Sequence, residues 1–482
     1  MAHPFLPGPA MRRSIPAFVF AALLALPLAA QAPAPAAAPR PIDWTALSAE
    51  AVNTLSNYLQ VNTTNPPGNE MRAITFLRAI LEAEGFEVQV LDTAELGPTR
   101  GNLYARLKGN GSKGAIALVS HMDVVPAVPA YWSVDPFSGA IKDGFIWGRG
   151  ALDMKSTGIV QLYAMLALKR SGVPLNRDIV FIGNSDEELE GLGAIDFVKN
   201  HRDLLKDVEY LLTEGGSNPV KDGKLEYYGV SVSEKRTFWQ QVTVHGVASH
   251  GSRPTKQNPV PRLVAALDRI ANWQTPLRAT PGVAKYFKDI SVEYAGQQRA
   301  WLADVPRALT DPKARAWLTS NVMWNAILRN TISLTVLTGS NKTNVIPPVA
   351  SAELDIRLLP DQDTAAFLAD LRKVVNDTAV HFHTMFPPKP PLESPIATDL
   401  FRAIERASHD RDPNALVTTI MLTGATDRPT YRQAGIVTYG FDAFRTDVAD
   451  AQKGVHGNDE RISVANVGFG VKYLYDVLVY AQ

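Results

Sequence analysis

At 482 residues the chain has room for more than one domain. A hydrophobic share of 46% with 20% charged residues is ordinary for a soluble globular fold, and Lys plus Arg equals Asp plus Glu at 48 each, so no charge excess points to nucleic acid or an anionic membrane surface. There is no Cys, which excludes disulfides, thiolate metal sites and a lipid-modified Cys anchor.

Residues 1–32 read as a secretory signal. Arg12-Arg13 precede an apolar core from Ala17 to Leu28, and Ala30-Gln31-Ala32 has the small-x-small cleavage pattern; Met11 is a second candidate start. The core is too short and Pro-interrupted for a stable membrane span. Export to the periplasm or the exterior is the expectation. A Pro/Ala linker follows at 33–42.

From Trp44 to Gln60, Leu47, Val52, Leu55 and Leu59 share a helical face; a Thr-Asn-Pro-Pro-Gly loop and a second amphipathic helix, Glu70 to Glu84, follow. Phe86 to Leu91 and Asn102 to Leu107 alternate like strands. The apolar run Ala115 to Val119 then stops at Ser120-His121-Met122-Asp123, and Ile179 to Ile182 stops at Ser185-Asp186-Glu187-Glu188. Between them lies Trp147-Gly-Arg-Gly-Ala-Leu-Asp-Met-Lys155, whose Asp153 and Lys155 are expected on the amino end of a helix running to Arg170. Tyr210 to Thr213 leads to Glu214 and two glycines. Metal-binding side chains thus gather past the carboxyl ends of predicted strands, where open α/β sheets form their crevice. His121-x-Asp123 allows a ring to bind metal while a carboxylate orients it. Asp153 has two oxygens and suits a bridge between two cations. Glu187 and Glu188 offer one base and one ligand, the division of labour a metal hydrolase needs.

From Glu234 the pattern becomes β-α-β-β-α-β: Phe238 to His245, Val260 to Ile270, Ile332 to Leu337, Ala352 to Leu358, Thr364 to Thr378 and Val380 to His383, a split βαβ order. A Trp-rich helical segment, about Pro281 to Asn330, interrupts it. Domain bounds follow: 43–233 for the first part of a catalytic domain, 234–390 for an inserted lid with the helical segment at about 281–330, and 391–482 for the second catalytic part, closed by a helix from Val464 to Tyr480. His381 and His383 read as lid surface, and His201 and His409 as helix surface. No Gly-x-Ser-x-Gly signals a serine nucleophile, and Gly148-Arg-Gly150 lacks the rest of a phosphate loop.

These residues together resemble the zinc-dependent family of carboxypeptidase G, carboxypeptidase S, aminoacylase, acetylornithine deacetylase and succinyl-diaminopimelate desuccinylase. The matching residues are 120–123, 147–155 and 186–188, then Glu214, His250, Arg357, Gly424-x-Thr-Asp427 and His456, over roughly residues 45–482. The resemblance implies a zinc-aminopeptidase-like three-layer αβα catalytic domain with an inserted ferredoxin-like α+β lid, or dimerisation, domain. It implies two divalent ions, zinc first with Mn or Co as alternatives: His121, Asp153 and Glu214 on one, Asp153, Glu188 and His456 on the other. Glu187 becomes the general base and Asp123 stands behind His121. His250 steadies the oxyanion, in its own chain or in a partner's, which carries a homodimer through the lid as a partner call. Arg357 becomes the clamp for a substrate carboxylate, with Asn344 and Gly424 beside it. The implied activity is hydrolysis of the amide bond in dipeptides or N-acyl amino acids; an inactive binding protein and an ester hydrolase are the rival readings.

Overall fold

The run Ala115–His121 is apolar throughout because it is buried on both faces. Its side chains alternate between two cores: Ile116 and Leu118 pack with Leu55, Leu166 and Leu474, while Ala115, Ala117 and Val119 pack with Phe197 and Tyr431. That alternation defines the central layer of a three-layer arrangement in the computed structural model, which describes residues 8, 10, 39–92, 95–387, 393–447 and 454–482. The predicted signal, residues 33–38 of the linker and Lys389 to Pro391 lie outside the described residues.

The eight-stranded sheet runs in the order Val88–Leu91, Asn102–Leu107, Ile179–Asn184, Ala115–His121, Val208–Thr213, Val437–Gly440, Tyr228–Glu234, Val417–Leu422. Its middle, Ile179–Asn184 to Val437–Gly440, is parallel, so these strands end together at one edge. The helices Trp44–Leu59, Lys155–Ser171, Asp399–His409 and Val464–Tyr480 cover one face; Leu192–Asn200 and Arg428–Gln433 cover the other. The strands Tyr228–Glu234 and Val417–Leu422 are additions to the sequence reading, and the helix expected from Asp153 starts at Lys155, leaving Asp153 in the preceding turn.

A smaller sheet has its own core around Val242, Leu263, Leu354, Phe367 and Leu371. Its long strands lie in the order Val380–Thr384, Gln240–His245, Val349–Leu358, Thr331–Thr338, all antiparallel. The helices Pro259–Asn272 and Thr364–Val375 pack on one face; Glu353, Asp355 and Arg357 alternate onto the other. The segment 281–330 is helical as expected, but its core of Phe287, Leu302, Leu318 and Trp324 reaches Met421 on the edge strand of the large sheet. Thr418 Oγ1 donates to Asp289 Oδ2 at 2.7 Å and Thr419 Oγ1 to the Gly282 carbonyl at 2.9 Å, so the segment is laced to that strand. Residues Pro39–Gln482 form one compact unit. Among the described residues no helix is long and apolar enough to cross a membrane.

Candidate metal centre

His121 closes a central strand and its ring is buried. Nδ1 lies 3.0 Å from the Asp123 carbonyl oxygen and 3.6 Å from carboxylate Oδ1. The second distance is too long for a hydrogen bond. The backbone carbonyl therefore takes the Nδ1 proton and turns Nε2 toward Asp153 Oδ1, 2.9 Å away. The Asp123 carboxylate stands behind the same nitrogen as a buried ion-pair partner of the ring. That carboxylate also accepts from the backbone N–H groups of Glu187 at 3.2 Å and Glu188 at 3.1 Å, and from Asn65 Nδ2 at 2.8 Å. It fixes the glutamate turn. Asp186 adopts the left-handed backbone there, φ 64°, which Asp tolerates. Its carboxylate is held by Arg100 Nη1 at 3.0 Å and Asn65 Nδ2 at 3.0 Å.

Asp153 is placed by the turn 148–154. Gly150 has φ 89°, and a Cβ there would meet Val124 Cγ1 at 2.8 Å, so only glycine fits. Asp153 Oδ2 lies 3.2 Å from His456 Nε2, which also reaches Glu188 Oε2 at 3.0 Å. The two oxygens of Asp153 thus face two different imidazoles. Glu214 follows the strand Val208–Thr213, and donor atoms of His121, Glu187 and Glu214 lie within 4.8 Å of one another, as do those of His121, Asp153 and Glu188. All five predicted ligands converge, and Glu187 with them. Glu188 Oε1 is buried and has no hydrogen-bond partner among the described residues. An orphaned carboxylate oxygen among oxygen and imidazole donors fits a divalent cation.

The electrostatics agree. Burial raises Glu187 well above the ordinary carboxylate range, and the charge of Glu214 adds to it. Burial, then Asp153, pushes Glu214 up to about 8. Burial opposes charging His121, but its contacts with Asp123 and Asp153 outweigh this and hold it well above the usual histidine value. Hydrogen bonds to Asp153 and Glu188 push His456 up to about 10. Burial opposes ionising Asp153, yet His121 and His456 keep its pKa well below normal. Without cations, protons therefore occupy this cluster at neutral pH. Cation binding must displace them, so apparent metal affinity rises with pH and is lost as pH falls below these raised values. Calorimetric zinc titration at pH 7 in buffers of different ionisation enthalpy should show net proton release, with tighter binding at pH 8 than at pH 6. Pure pH-independence would count against the assignment.

The other predicted residues lie elsewhere. His250 is exposed on a two-stranded ribbon, paired with Val345; its Nδ1 accepts from the Ser252 N–H at 3.1 Å. Gly251 N–H donates to the Asn344 carbonyl at 2.8 Å, so His250 and Asn344 share one ribbon. Arg357 is engaged by its own strand: Nε and Nη2 donate to Asp355 at 2.7 and 3.3 Å and Nη1 to Thr237 Oγ1 at 3.0 Å. Gly424 sits in the turn after Val417–Leu422. That turn is moored by Thr426 Oγ1 to Glu234 at 2.8 Å and by Asn184 Nδ2 to Asp427 at 2.9 Å, beside the metal cluster's strand ends. Among the described residues, no hydrogen bond or ion pair joins His250, Asn344 or Arg357 to the metal cluster.

Sequence reasoning missed Asn65, which was read only as part of a loop, and Lys155 as an anchor. Lys155 is fully buried, its Nζ donates to the carbonyls of Val61 at 2.5 Å and Tyr58 at 3.3 Å, and burial lowers its pKa to about 7. It also missed Glu460. Nothing in the local pattern separates such residues from surface charges; only their contacts across the chain do.

Residues 117–480 match the profile of Peptidase family M20/M25/M40. The chain is 29% identical over 374 residues to human N-fatty-acyl-amino acid synthase/hydrolase PM20D1, covering 75% of this chain and 73% of that protein. It is 27% identical over 426 residues to human aminoacylase-1, covering 86% and 91%. In fold it is similar to an M20 family metallo-carboxypeptidase from Sulfolobus solfataricus, with a TM-score of 0.69 and 18% identity over 90% of this chain and 99% of that one. The crystal structure of human carnosine dipeptidase 1 gives a TM-score of 0.66 at 18% identity over 92% and 99%. With motif residues, ligand geometry and a profile match spanning most of its length in agreement, the chain belongs to peptidase family M20/M25/M40.

Proposed function

We propose that this enzyme is a di-zinc amide hydrolase that releases amino acids from N-acyl amino acids, with dipeptides as secondary substrates. The observation that carries the reading is Asp153, whose two oxygens stand 2.9 Å from His121 and 3.2 Å from His456. His121, Asp153 and Glu214 would hold one ion; Asp153, Glu188 and His456 the other. The oxygen-rich donor set also accepts Mn or Co. The names of the sequence relatives, an N-fatty-acyl-amino acid hydrolase and an aminoacylase, favour an acyl group over a second amino acid.

Bound cations supply Lewis acidity to the amide carbonyl under attack. Glu187 takes the proton of the attacking water and delivers it to the leaving nitrogen. It suits this role because its carboxylate makes no hydrogen bond among the described residues, whereas Glu188 is committed to His456. Asp123 holds both glutamates in place through their N–H groups. Arg357 would receive the substrate's free carboxylate by exchanging its Asp355 and Thr237 contacts, Asn344 and Gly424 would assist in binding substrate, and His250 would donate to the developing oxyanion. The enzyme is read as exported, on residues 11–32.

The test is a substrate panel on metal-stripped enzyme reloaded with Zn, Mn or Co: N-acyl amino acids of short and long acyl chain, dipeptides, their carboxyl-amidated forms and matched esters. Hydrolysis of free-carboxylate amides is expected. Two bound equivalents with no amide hydrolysis would sink the proposal. Arg357→Ala should raise KM by the equivalent of roughly 2–5 kcal/mol, the cost of breaking a charge pair, and erase the preference for free over amidated carboxylates. An unchanged preference would remove the clamp.

Homodimerisation through the smaller sheet is part of the proposal. Thr331–Thr338 lies at the edge of that sheet and is exposed from Ser333 on, with Leu334, Val336 and Leu337 open to solvent. His250→Ala should cost about 10²–10³ in kcat, the range for one oxyanion donor, with both metals retained. Mixed dimers of His250→Ala and Asp153→Ala subunits recover activity if His250 serves the partner's centre. No recovery in dimers shown to form means that it serves its own.

A further inference from the structure

We propose that Glu460, paired with Arg149, is a positioning residue that sets Asp153 against His456 and so governs the second cation site, the one between Asp153, Glu188 and His456. The proposal rests on the di-metal reading above.

The two loops involved leave the same end of one ribbon. Phe145–Trp147 and Arg461–Ser463 pair antiparallel, with Trp147 opposite Arg461. The turn carrying Asp153 continues from one strand, and the loop carrying His456 runs into the other. Glu460 ends that second loop and joins it to the first at every turn of backbone. Its carbonyl accepts from Gly148 N–H at 3.0 Å. Carboxylate Oε1 accepts from Leu152 N–H at 2.7 Å and from the N–H of Asp153 itself at 3.0 Å. Oε2 accepts from Gly150 N–H at 3.1 Å and Arg149 Nη1 at 2.7 Å. These donors use the carboxylate's acceptor capacity completely. Arg149 then returns to the His456 loop, where Nη2 donates to the Gly457 carbonyl at 2.9 Å.

Both charges are buried, Glu460 at 0% and Arg149 at 2% exposure. Burying an ion pair is costly unless hydrogen bonds compensate; here all four acceptor positions of Glu460 are used, while Arg149 donates through Nη1 and Nη2 and leaves its Nε without a partner among the described residues. What the pair holds is otherwise weakly held. The His456 side chain is 53% exposed, stands on left-handed backbone at φ 59°, and its ring has Asp153 and Glu188 as its ion-pair partners among the described residues. His121 and Glu214 need no such aid, because they extend strands locked in the central sheet. Loosening the Glu460 contact should therefore weaken the second site, where Asp153 and the His456 loop are both displaced, more than the first, which shares Asp153 but keeps two sheet-borne donors.

The experiment uses the full chain. Metal-stripped wild-type enzyme, Glu460→Gln and Arg149→Met are titrated with Zn²⁺ against a competing chelator, and the two dissociation constants are read separately. Co²⁺ absorption spectra report the geometry of each site. A glutamine at 460 offers one acceptor oxygen and turns an amide NH₂ onto Arg149 and Gly150, donor against donor. We expect the second ion to weaken by about 10–100-fold, the usual range for a group that orients a ligand, and the first, which shares Asp153, to weaken by a clearly smaller factor. Arg149→Met, which keeps the backbone contacts of Glu460, should weaken the same ion by less, and it alone decides the matter if Glu460→Gln does not fold. A purely structural role would lower Tm and leave the ratio of the two constants as in wild type; that result overturns the proposal, as does equal weakening of both ions. Wild-type enzyme that binds two ions and hydrolyses amides beside an unaltered Glu460→Gln protein would overturn this inference and leave the proposed function standing. Wild-type enzyme without two sites removes both.

Discussion

Asp153→Ala should lose bound metal and hydrolytic activity together. Its Oδ1 faces His121 Nε2 and its Oδ2 faces His456 Nε2, so one side chain serves both halves of the centre. Removing it leaves His121 and Glu214 on one side and Glu188 and His456 on the other, two protein ligands each, below the three that a catalytic zinc needs. The residual affinity should fall below what dialysis preserves. Elemental analysis after gel filtration should give less than one equivalent, with activity at background. Two full equivalents in this variant would disprove the bridge. The fold should survive, because the turn is held by the Asp153 backbone N–H on Glu460 and by Gly150, not by the carboxylate.

Glu187→Gln should do the opposite: keep both metals and lose kcat. The substitution removes the ability to take a proton while preserving shape and the N–H bond to Asp123. General-base catalysis contributes ~10²–10⁴-fold, and a loss of at least that size is expected. Glu188→Gln should release metal from the second site, because its Oε2 is the atom beside His456 and its Oε1 is the buried, unpartnered one. Metal content and kcat measured on the two variants decide the roles. If Glu187→Gln sheds metal while Glu188→Gln retains it, base and ligand must be exchanged, an outcome the proximity of Glu187 to His121 and Glu214 makes worth testing directly.

Much of this centre was legible in the sequence, and the reason is local. A strand buried on both faces must be continuously apolar, so Ala115–His121 and Ile179–Asn184 announce themselves, and the polar residues that break the run mark the crevice. The strands that went unread have buried polar faces. Ser231 and Ser233 in Tyr228–Glu234, and Thr418 and Thr419 in Val417–Leu422, are fully buried and interrupt the apolar signal. The threonine hydroxyls bond partners far along the chain, Asp289 for Thr418 and the Gly282 carbonyl for Thr419, while Ser231 Oγ donates locally to the Ser233 carbonyl. The same holds for the site. His121, Asp153, Glu188, Glu214 and His456 are recognisable by residue type and position, but the Asp123 backbone carbonyl, the nearer acceptor for the imidazole, is something no sequence displays. Arg357 was predictable as a strand residue and not as one already held by Asp355, since the i, i+2 pairing depends on the rotamers both adopt.

The Arg149–Glu460 contact closes a separation of 311 residues. Its consequence lies in time. Chain synthesis delivers His121, Asp153, Glu188 and Glu214 early, but the imidazole of His456 and the carboxylate beside it arrive only with the final helix of the molecule. A growing chain can collapse around the central strands long before that, yet it cannot own a second cation. Long-range closure of this kind is slow relative to local helix formation, so the proposed second cation site should mature after the central strands.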